Sequence, residues 1–183
     1  MDLLEAIAGR RSVREYTAQA VEDAVVDRLL AAAVSAPSAH NGQPWRFTVV
    51  RDRALLDRLS DEAKAFRLAT ANLDERGRAR MADPNYHLLH HAPALVLISA
   101  VEASTWAVED CALAAENLML TAFSLGLGSC WIGYVQAYLN TADGKRLFRL
   151  PEACVPVAPI VIGYPTSQPA PTSRSEPSVD RIG

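Results

Sequence analysis

The chain has 183 residues, half of them hydrophobic, which is enough for one substantial core and too little for two comfortable domains, so we expect one domain over residues 1–183. Its 18 Lys and Arg residues against 21 Asp and Glu give a net charge of −3, which argues against nucleic acid as a partner. No secretory leader is visible, and the three cysteines lack CxxC spacing. These features predict reduced thiols and a cytoplasmic location.

The N-terminal residues predict a short capped helix followed by an extended basic segment. Asp2 followed by Glu5 is the pattern of a capping box, and Gly9 ends the helix. In the next five residues, RRSVR at 10–14, an extended backbone would project Arg10, Ser12 and Arg14 to one side. Arginine forms bidentate hydrogen bonds with phosphate oxygens, so this segment can hold a phosphate. On its own, such a run is more often solvated surface.

A second helix is predicted from Val21 to Val34, because its apolar residues recur at helical spacing. The loop that follows, 35–45, contains Pro37 and Pro44, which keep the residues before them extended. Its small residues leave backbone amides and the carboxamides of residues 41 and 43 free to approach a ligand. A strand is predicted over 46–50.

Residues 52–66 predict an amphipathic helix capped by Asp52, and residues 67–85 predict irregular, charged chain. His87, His90 and His91 have a spacing that could hold a metal on a helix. A third ligand at a defined spacing is missing and a proline at 93 would end any helix, so we expect surface or packing histidines and no metal site. The continuous apolar run 93–100 predicts a central strand buried on both faces.

The longest apolar stretch begins at Val108. It predicts a helix that is buried on most sides and ended by Gly126 in the left-handed conformation, followed by a strand over 127–134 whose small residues let a flat ligand come close. The glycines and polar residues favour a buried core element over a membrane span.

The last third of the chain predicts a short helix over 143–150 and a strand over 155–164. Pro156 and Pro159 should confine the pairing of this strand to an edge or to its ends. Four prolines among polar residues beyond position 164 predict an extended arm over about 165–183.

Three segments together carry a family resemblance: RRSVR at 10–14, APSAHNGQPW at 36–45 and GLGSCWIG at 126–133. In this order and at these separations they resemble the flavin-dependent nitroreductases, which are homodimeric FMN oxidoreductases. The resemblance covers essentially the whole chain. It implies an α+β fold with a central, mostly antiparallel sheet surrounded by helices. It also implies an intertwined homodimer whose C-terminal arm reaches across the partner.

The same resemblance implies roles for individual residues. Arg14 would stabilise negative charge near N1 of the reduced flavin, while Arg10, Ser12 and Arg174 would bind its phosphate and ribityl end. Because the flavin carries the redox chemistry, no protein side chain is expected to act as a catalytic acid, base or nucleophile. The implied cofactor-binding set, of which residues 37–43 would come from the partner subunit, is Arg10, Arg11, Ser12, Arg14, Pro37, Ser38, Ala39, Asn41, Gln43, Trp131, Ile132, Gly133 and Arg174.

The implied reaction transfers hydride from NADH or NADPH through flavin N5 to an electron-poor acceptor, such as a nitroaromatic or a quinone, by a ping-pong mechanism. No GxGxxG segment follows a strand, consistent with one pocket that both reactants use in turn. The natural acceptor and the nicotinamide preference stay open. So do three alternatives: a flavoprotein with a non-nitro substrate, a flavin storage or sensor protein without turnover, and a scaffold dimer without cofactor.

Overall fold

The computed structural model describes residues 1–183. None of its helices is both long enough and apolar enough to cross a membrane. In chain order the elements are α1 (Leu3–Gly9), α2 (Asp23–Val34), a 3₁₀ turn (Ala39–Asn41), β1 (Trp45–Val50), α3 (Arg53–Thr70), α4 (Glu75–Ala82), β2 (Ala94–Ala100), α5 (Ala107–Ser124), β3 (Gly128–Trp131), α6 (Gly133–Leu139), α7 (Ala142–Leu147) and β4 (Val155–Gly163).

The four strands form one antiparallel sheet in the order β1-β2-β4-β3. Every residue of β2 is buried, as predicted for a central strand. Alternate side chains of β2 enter two separate cores: Val96 and Ile98 pack in the core that contains the α2 and α5 side chains, whereas Leu95 and Leu97 pack in the core of α3 and α6. Helices therefore cover both faces of the sheet.

Several helix ends have the predicted chemistry. Asp2 and Glu5 form a reciprocal capping box at α1, and the Asp52 side chain accepts a hydrogen bond from Leu55 N at α3. Gly126 follows α5 with φ +80°, and the next amide, Leu127 N, returns to the carbonyl of Ala122 at 2.9 Å. This is the left-handed cap that the sequence predicted.

Of the two places predicted for the pairing of β4, the edge is wrong, because β4 lies between β2 and β3, and the pairing with β2 runs past both prolines. Only the pairing with β3 is confined to one end of the strand. Pro156 and Pro159 are tolerated in β4 because of where they lie in the strand pairing. β3 pairs with β4 only from Ile160 to Gly163, beyond both prolines. Pro156 lies beside an irregularity in the β2 register, and the Pro159 carbonyl still accepts a hydrogen bond from Ile132 N at 2.8 Å.

Two further expectations require correction. The strand predicted over 127–134 ends at Trp131, and Gly133 begins α6, which buries Val135 and Leu139 at helical spacing. Residues 67–85 are largely helical, since α3 continues to Thr70 and α4 occupies 75–82. Helix α4 has a single buried residue, Met81, so it lacks the apolar periodicity by which sequence reasoning detects helices.

The two ends of the chain meet beside the sheet. Ser12 forms a parallel bridge with Ser129 of β3, and Val13 N donates to the Ser129 carbonyl at 3.0 Å. Tyr16 forms an antiparallel bridge with Pro165, just beyond β4. The RRSVR segment is thereby held along β3, and the C-terminal segment starts from the same place.

Candidate functional site

Three of the cavities that adjoin the RRSVR segment, with volumes of about 270, 230 and 740 Å³, share a residue of it. Arg14 lines all three of them, and Ser12 lines the two smaller ones. Residues 10–14 therefore contribute to the wall of each of these cavities, and Arg14 is the residue that all three share.

The 270 Å³ cavity, hereafter the arginine cavity, is strongly basic: Arg10, Arg11, Arg14 and Arg174 line it together with Ser12. The Nε atoms of Arg10 and Arg11 are buried without a hydrogen-bond partner. Buried polar groups are normally paired, so these orphaned donors indicate a missing acceptor. The only nearby carboxylate oxygen, on Glu116, lies 3.6 Å from Arg10 Nε, beyond hydrogen-bond range.

The sequence alternation predicted Arg10, Ser12 and Arg14 on one side, and these three residues do meet at the arginine cavity. Arg11 also lines it, with Nη1 donating to the carbonyls of Ala8 and Arg10 at 2.7 Å each. Arg174 reaches it from the C-terminal segment of the same chain.

The 740 Å³ cavity, hereafter the ring cavity, joins the other end of the RRSVR segment to the turn between β3 and α6. A Cβ built on Gly133 meets no atom within 4 Å, so the backbone here is open to the cavity. Its lining residues are Arg14, Arg80, Tyr86, Leu88, His90, Cys130, Trp131, Ile132, Gly133 and Tyr134.

The environment of the ring cavity disfavours the charged forms of three of its side chains, His90, Tyr86 and Cys130. Burial, reinforced by Arg14 and Arg80, lowers the pKa of His90 to about 4, so its imidazole is uncharged near neutral pH. Burial raises the pKa of Tyr86 and of the Cys130 thiol. Cys130 is thus a buried thiol, and Cys111 and Cys154 are also free and buried, as the sequence predicted.

The predicted ligand loop does not reach these cavities within one chain. Its amide at Ala39 donates to the buried carboxylate of Asp110 at 2.9 Å, on the α5 side of the fold. Asn41 and Gln43 both have positive φ and are exposed, and their side chains are joined by a hydrogen bond of 3.1 Å. The conformation of the loop is therefore fixed by contacts within one chain, and residues 41 and 43 are exposed to solvent. The predicted site residues that stay apart from the two cavities are Pro37, Ser38, Ala39, Asn41 and Gln43.

Sequence reasoning missed several residues of the ring cavity. Arg80 belongs to α4, which was predicted as irregular, and Tyr86 and His90 follow it in turns. His90 had been expected at the surface or in packing. The only available signal was an aromatic residue, Tyr86, in an otherwise polar stretch, which is not enough to predict a site.

His87 and His91, which the sequence grouped with His90, lie in a separate cluster. Possible ligand atoms of Asp57, His87 and His91 lie within 4.8 Å of one another. The guanidinium of Arg53 contacts the same groups, with Nη2 2.7 Å from His91 Nδ1 and Nε 3.2 Å from Asp57 Oδ1. Arg53 therefore already brings a positive charge to this cluster, and the absence of a metal site stays a prediction.

A family model described as the nitroreductase family matches residues 7–164. The chain belongs to this family. It is 33% identical over 187 residues to a protein of Methanothermobacter thermautotrophicus provisionally named an NADH dehydrogenase/NAD(P)H nitroreductase, covering 100% of this chain and 86% of that one. It is 28% identical to the FMN reductase [NAD(P)H] of Bacillus subtilis, covering 94% of this chain and 70% of that one.

Solved structures agree with the family assignment. A Bacteroides fragilis nitroreductase with bound FMN aligns with a TM-score of 0.89 and 28% identity over 100% of both chains. An FMN-dependent nitroreductase of Clostridium difficile aligns with a TM-score of 0.85 and 27% identity over 99% of both chains. The predicted α+β fold of the nitroreductase type, with an antiparallel sheet surrounded by helices, is confirmed.

Proposed function

We propose that this nitroreductase-family protein is an NAD(P)H-dependent FMN oxidoreductase that reduces an electron-poor acceptor, such as a nitroaromatic or a quinone. The observation that carries the proposal is the position of Arg14, which lines both the arginine cavity and the ring cavity. A ligand that is anionic at one end and flat at the other could occupy the two cavities together. The names of the relatives, which include FMN and NAD(P)H, support the same ligands.

The arginine cavity suits the phosphate of FMN. Guanidinium groups of Arg10, Arg11 and Arg174 would hold the phosphate oxygens, and the Ser12 hydroxyl would contact the ribityl end. The orphaned Nε atoms of Arg10 and Arg11 support this assignment, because a bound phosphate would supply acceptors where the protein supplies none.

The ring cavity suits the isoalloxazine. Main-chain groups of Trp131, Ile132 and Gly133 would face the ring, and the open space at Gly133 leaves room for it. The guanidinium of Arg14 would lie near N1 and the C2 carbonyl, where its charge favours the reduced, anionic ring.

The site is proposed to be completed by a second copy of the chain. The loop 37–43 is outward-facing and anchored by Asp110, so a partner could insert it into the ring cavity. Apolar side chains on α1 also face outward: Leu3 is 67% exposed, Leu4 75% and Ile7 52%. Such a patch marks an interaction surface. The crossing of residues 165–183 onto the partner, and a single domain with this arm, stay predictions.

FMN bound here would supply the chemistry for hydride transfer between NADH or NADPH and an electron-poor acceptor. The protein's part is to bind and orient the ring, to stabilise its charge through Arg14, and to offer one open cavity to both reactants in turn. This arrangement predicts ping-pong kinetics. None of the neutral side chains of the ring cavity has to act as a nucleophile.

The test is a visible spectrum of the purified protein, followed by stopped-flow reduction with NADH and with NADPH and reoxidation by quinones and nitroarenes. The proposal expects a yellow homodimer that is reduced by at least one nicotinamide and reoxidised by an acceptor. Colourless protein that does not take up added FMN would contradict it. A yellow protein that neither nicotinamide reduces would favour storage or sensing.

A further inference from the structure

We infer that the ring cavity selects reactants that carry an anionic group, a carboxylate or a phosphate, which Arg80 binds beside Tyr86. This inference rests on the proposed function, since it concerns the reactant that would stack on the flavin. Nothing in the family assignment specifies it, and sequence reasoning did not identify Arg80 as a site residue.

The first observation that supports the inference is the charge of the ring cavity. Two arginines, Arg14 and Arg80, line the cavity, and no aspartate or glutamate does. Neither arginine forms an ion pair. In the proposed function Arg14 serves the flavin, so Arg80 is the cation that remains for the reactant. A cavity lined by one sign of charge attracts the opposite sign.

The position of the Arg80 guanidinium supports it second. Its central carbon lies 4.2 Å from the centroid of the Tyr86 ring. Stacking on an aromatic face orients the guanidinium plane, and no carboxylate oxygen lies within 4.0 Å of it to compete for a bidentate contact. A second pair of the same kind adjoins the cavity, with Arg67 4.6 Å from the centroid of Tyr134. The Arg67 guanidinium therefore adds a further positive charge next to Tyr134, and its Nε is buried without a hydrogen-bond partner.

The neighbours of Arg80 are suited to an anion as well. His90 is neutral near neutral pH because burial and the two arginines oppose its protonation, so it can offer one N–H. Burial also keeps the Tyr86 hydroxyl protonated, and a protonated hydroxyl is a hydrogen-bond donor. An anion at Arg80 would therefore meet donors and no competing carboxylate.

The anion could belong to either reactant, and two comparisons separate these sources. The first compares 4-nitrobenzoate with 4-nitrobenzamide as acceptors, since they differ in charge and little in shape. The second compares NADPH with NADH, which differ by one phosphate. Both comparisons are made with the FMN-loaded enzyme, with Arg80→Ala and Arg80→Gln, and with Arg78→Ala as the control. Arg78 is an exposed arginine of the same helix that does not line the ring cavity.

Loss of a charge-assisted hydrogen bond should reduce the wild-type preference for the anionic reactant by about tenfold or more in the Arg80 variants. Arg78→Ala should keep the wild-type preference. A loss for 4-nitrobenzoate over 4-nitrobenzamide would assign the site to the acceptor, and a loss for NADPH over NADH would assign it to the nicotinamide phosphate. If both preferences are the same in wild type and both Arg80 variants, the inference is overturned.

Failure of the inference is distinguishable from failure of the proposed function. Calorimetric titration of 4-nitrobenzoate and 4-nitrobenzamide into the same proteins measures affinity without turnover. A wild-type protein that oxidises no nicotinamide with any acceptor counts against the proposed function. Equal affinities for the two compounds in wild type and in Arg80→Ala count against an anion site for the acceptor, and the inference as a whole then stands or falls with the NADPH and NADH comparison.

Discussion

A methyl group on Gly128 would lie 2.6 Å from Cβ of Val13. Val13 is buried, and its amide is bound to Ser129, the residue after this glycine. The Tyr16 hydroxyl donates to the Val13 carbonyl at 2.7 Å and holds the other side of the same residue. The close approach at Gly128 thus presses the RRSVR segment against β3 and fixes the wall shared by the three cavities.

Gly128→Ala is expected to displace this wall. Overpacking of a buried contact costs about 1–3 kcal/mol, so the free energy of unfolding should fall by that amount, and FMN affinity should fall about tenfold or more. Denaturant unfolding measures the first quantity and quenching of flavin fluorescence the second. Unchanged stability would show that the Val13 segment can move aside freely.

Gly133→Ala is the matched variant with the opposite expectation for stability. No atom lies within 4 Å of a Cβ at this position, which is the first residue of α6. Alanine in place of glycine at an unstrained position reduces the conformational entropy of the unfolded chain, which is worth about 0.4–1 kcal/mol, so the protein without FMN should be at least as stable as wild type. The added methyl would project toward the ring cavity, so FMN affinity should fall. Wild-type affinity would argue against a ring beside Gly133.

Arg14→Ala tests the electrostatic role proposed for this residue. Loss of the guanidinium should destabilise the reduced flavin and lower its two-electron midpoint potential by about 30 mV, the equivalent of about 1.4 kcal/mol. The potential is measured by equilibration with a reference dye. Arg76→Ala removes an exposed arginine of α4 that lines none of the three cavities, and it should leave the potential unchanged. The same potential in Arg14→Ala and wild type would refute the assigned role.

Asp110→Ala tests the anchor of the 37–43 loop. The carboxylate is 6% exposed and accepts from Ala39 N, so its removal leaves a partly buried amide unpaired at a cost of about 1 kcal/mol. Hydrogen exchange at the Ala39 amide should accelerate, and FMN affinity should fall if the loop completes the partner's site. Glu109→Ala changes an exposed acid in the same helical turn and is the control. An unchanged exchange rate at the Ala39 amide in Asp110→Ala would mean that the loop keeps its conformation without Asp110.

The hydrogen bond from Tyr138 to Glu62 predicts a pH-dependent contribution to stability. This bond, together with Arg58, lowers the pKa of the Glu62 carboxyl, while burial and Glu62 raise the pKa of Tyr138 to about 12. A carboxyl whose pKa is lowered by folding stabilises the protein above its unfolded pKa, and this stabilisation is lost as the pH falls through the lowered value.

Tyr138→Phe should therefore cost about 1 kcal/mol of unfolding free energy near neutral pH, and the difference from wild type should shrink below about pH 4. Phenylalanine keeps the ring packing on Phe66. The measurement is denaturant unfolding across this pH range. Glu62→Gln in the Tyr138→Phe background should add little, and a difference that stays constant down to low pH would contradict the assignment to Glu62.

Sequence reasoning succeeded where a local rule acts alone. The cap at Asp2, the left-handed Gly126 and the grouping of Arg10, Ser12 and Arg14 all follow from local geometry. It failed where the outcome depends on distant partners. Pro159 alone could not show that β4 is an inner strand, because this depends on β3 pairing with β4 only beyond the proline. Arg80 joins the ring cavity only through the packing of α4, a helix that buries one residue.

The bridge between Tyr16 and Pro165 has a consequence for the order in which the molecule assembles. Contacts between residues that lie so far apart in the chain form late in folding, because a long loop must be ordered before they can form. A nascent chain on the ribosome therefore cannot build the wall of the arginine cavity until β4 has emerged. Cofactor capture should follow synthesis of nearly the whole polypeptide.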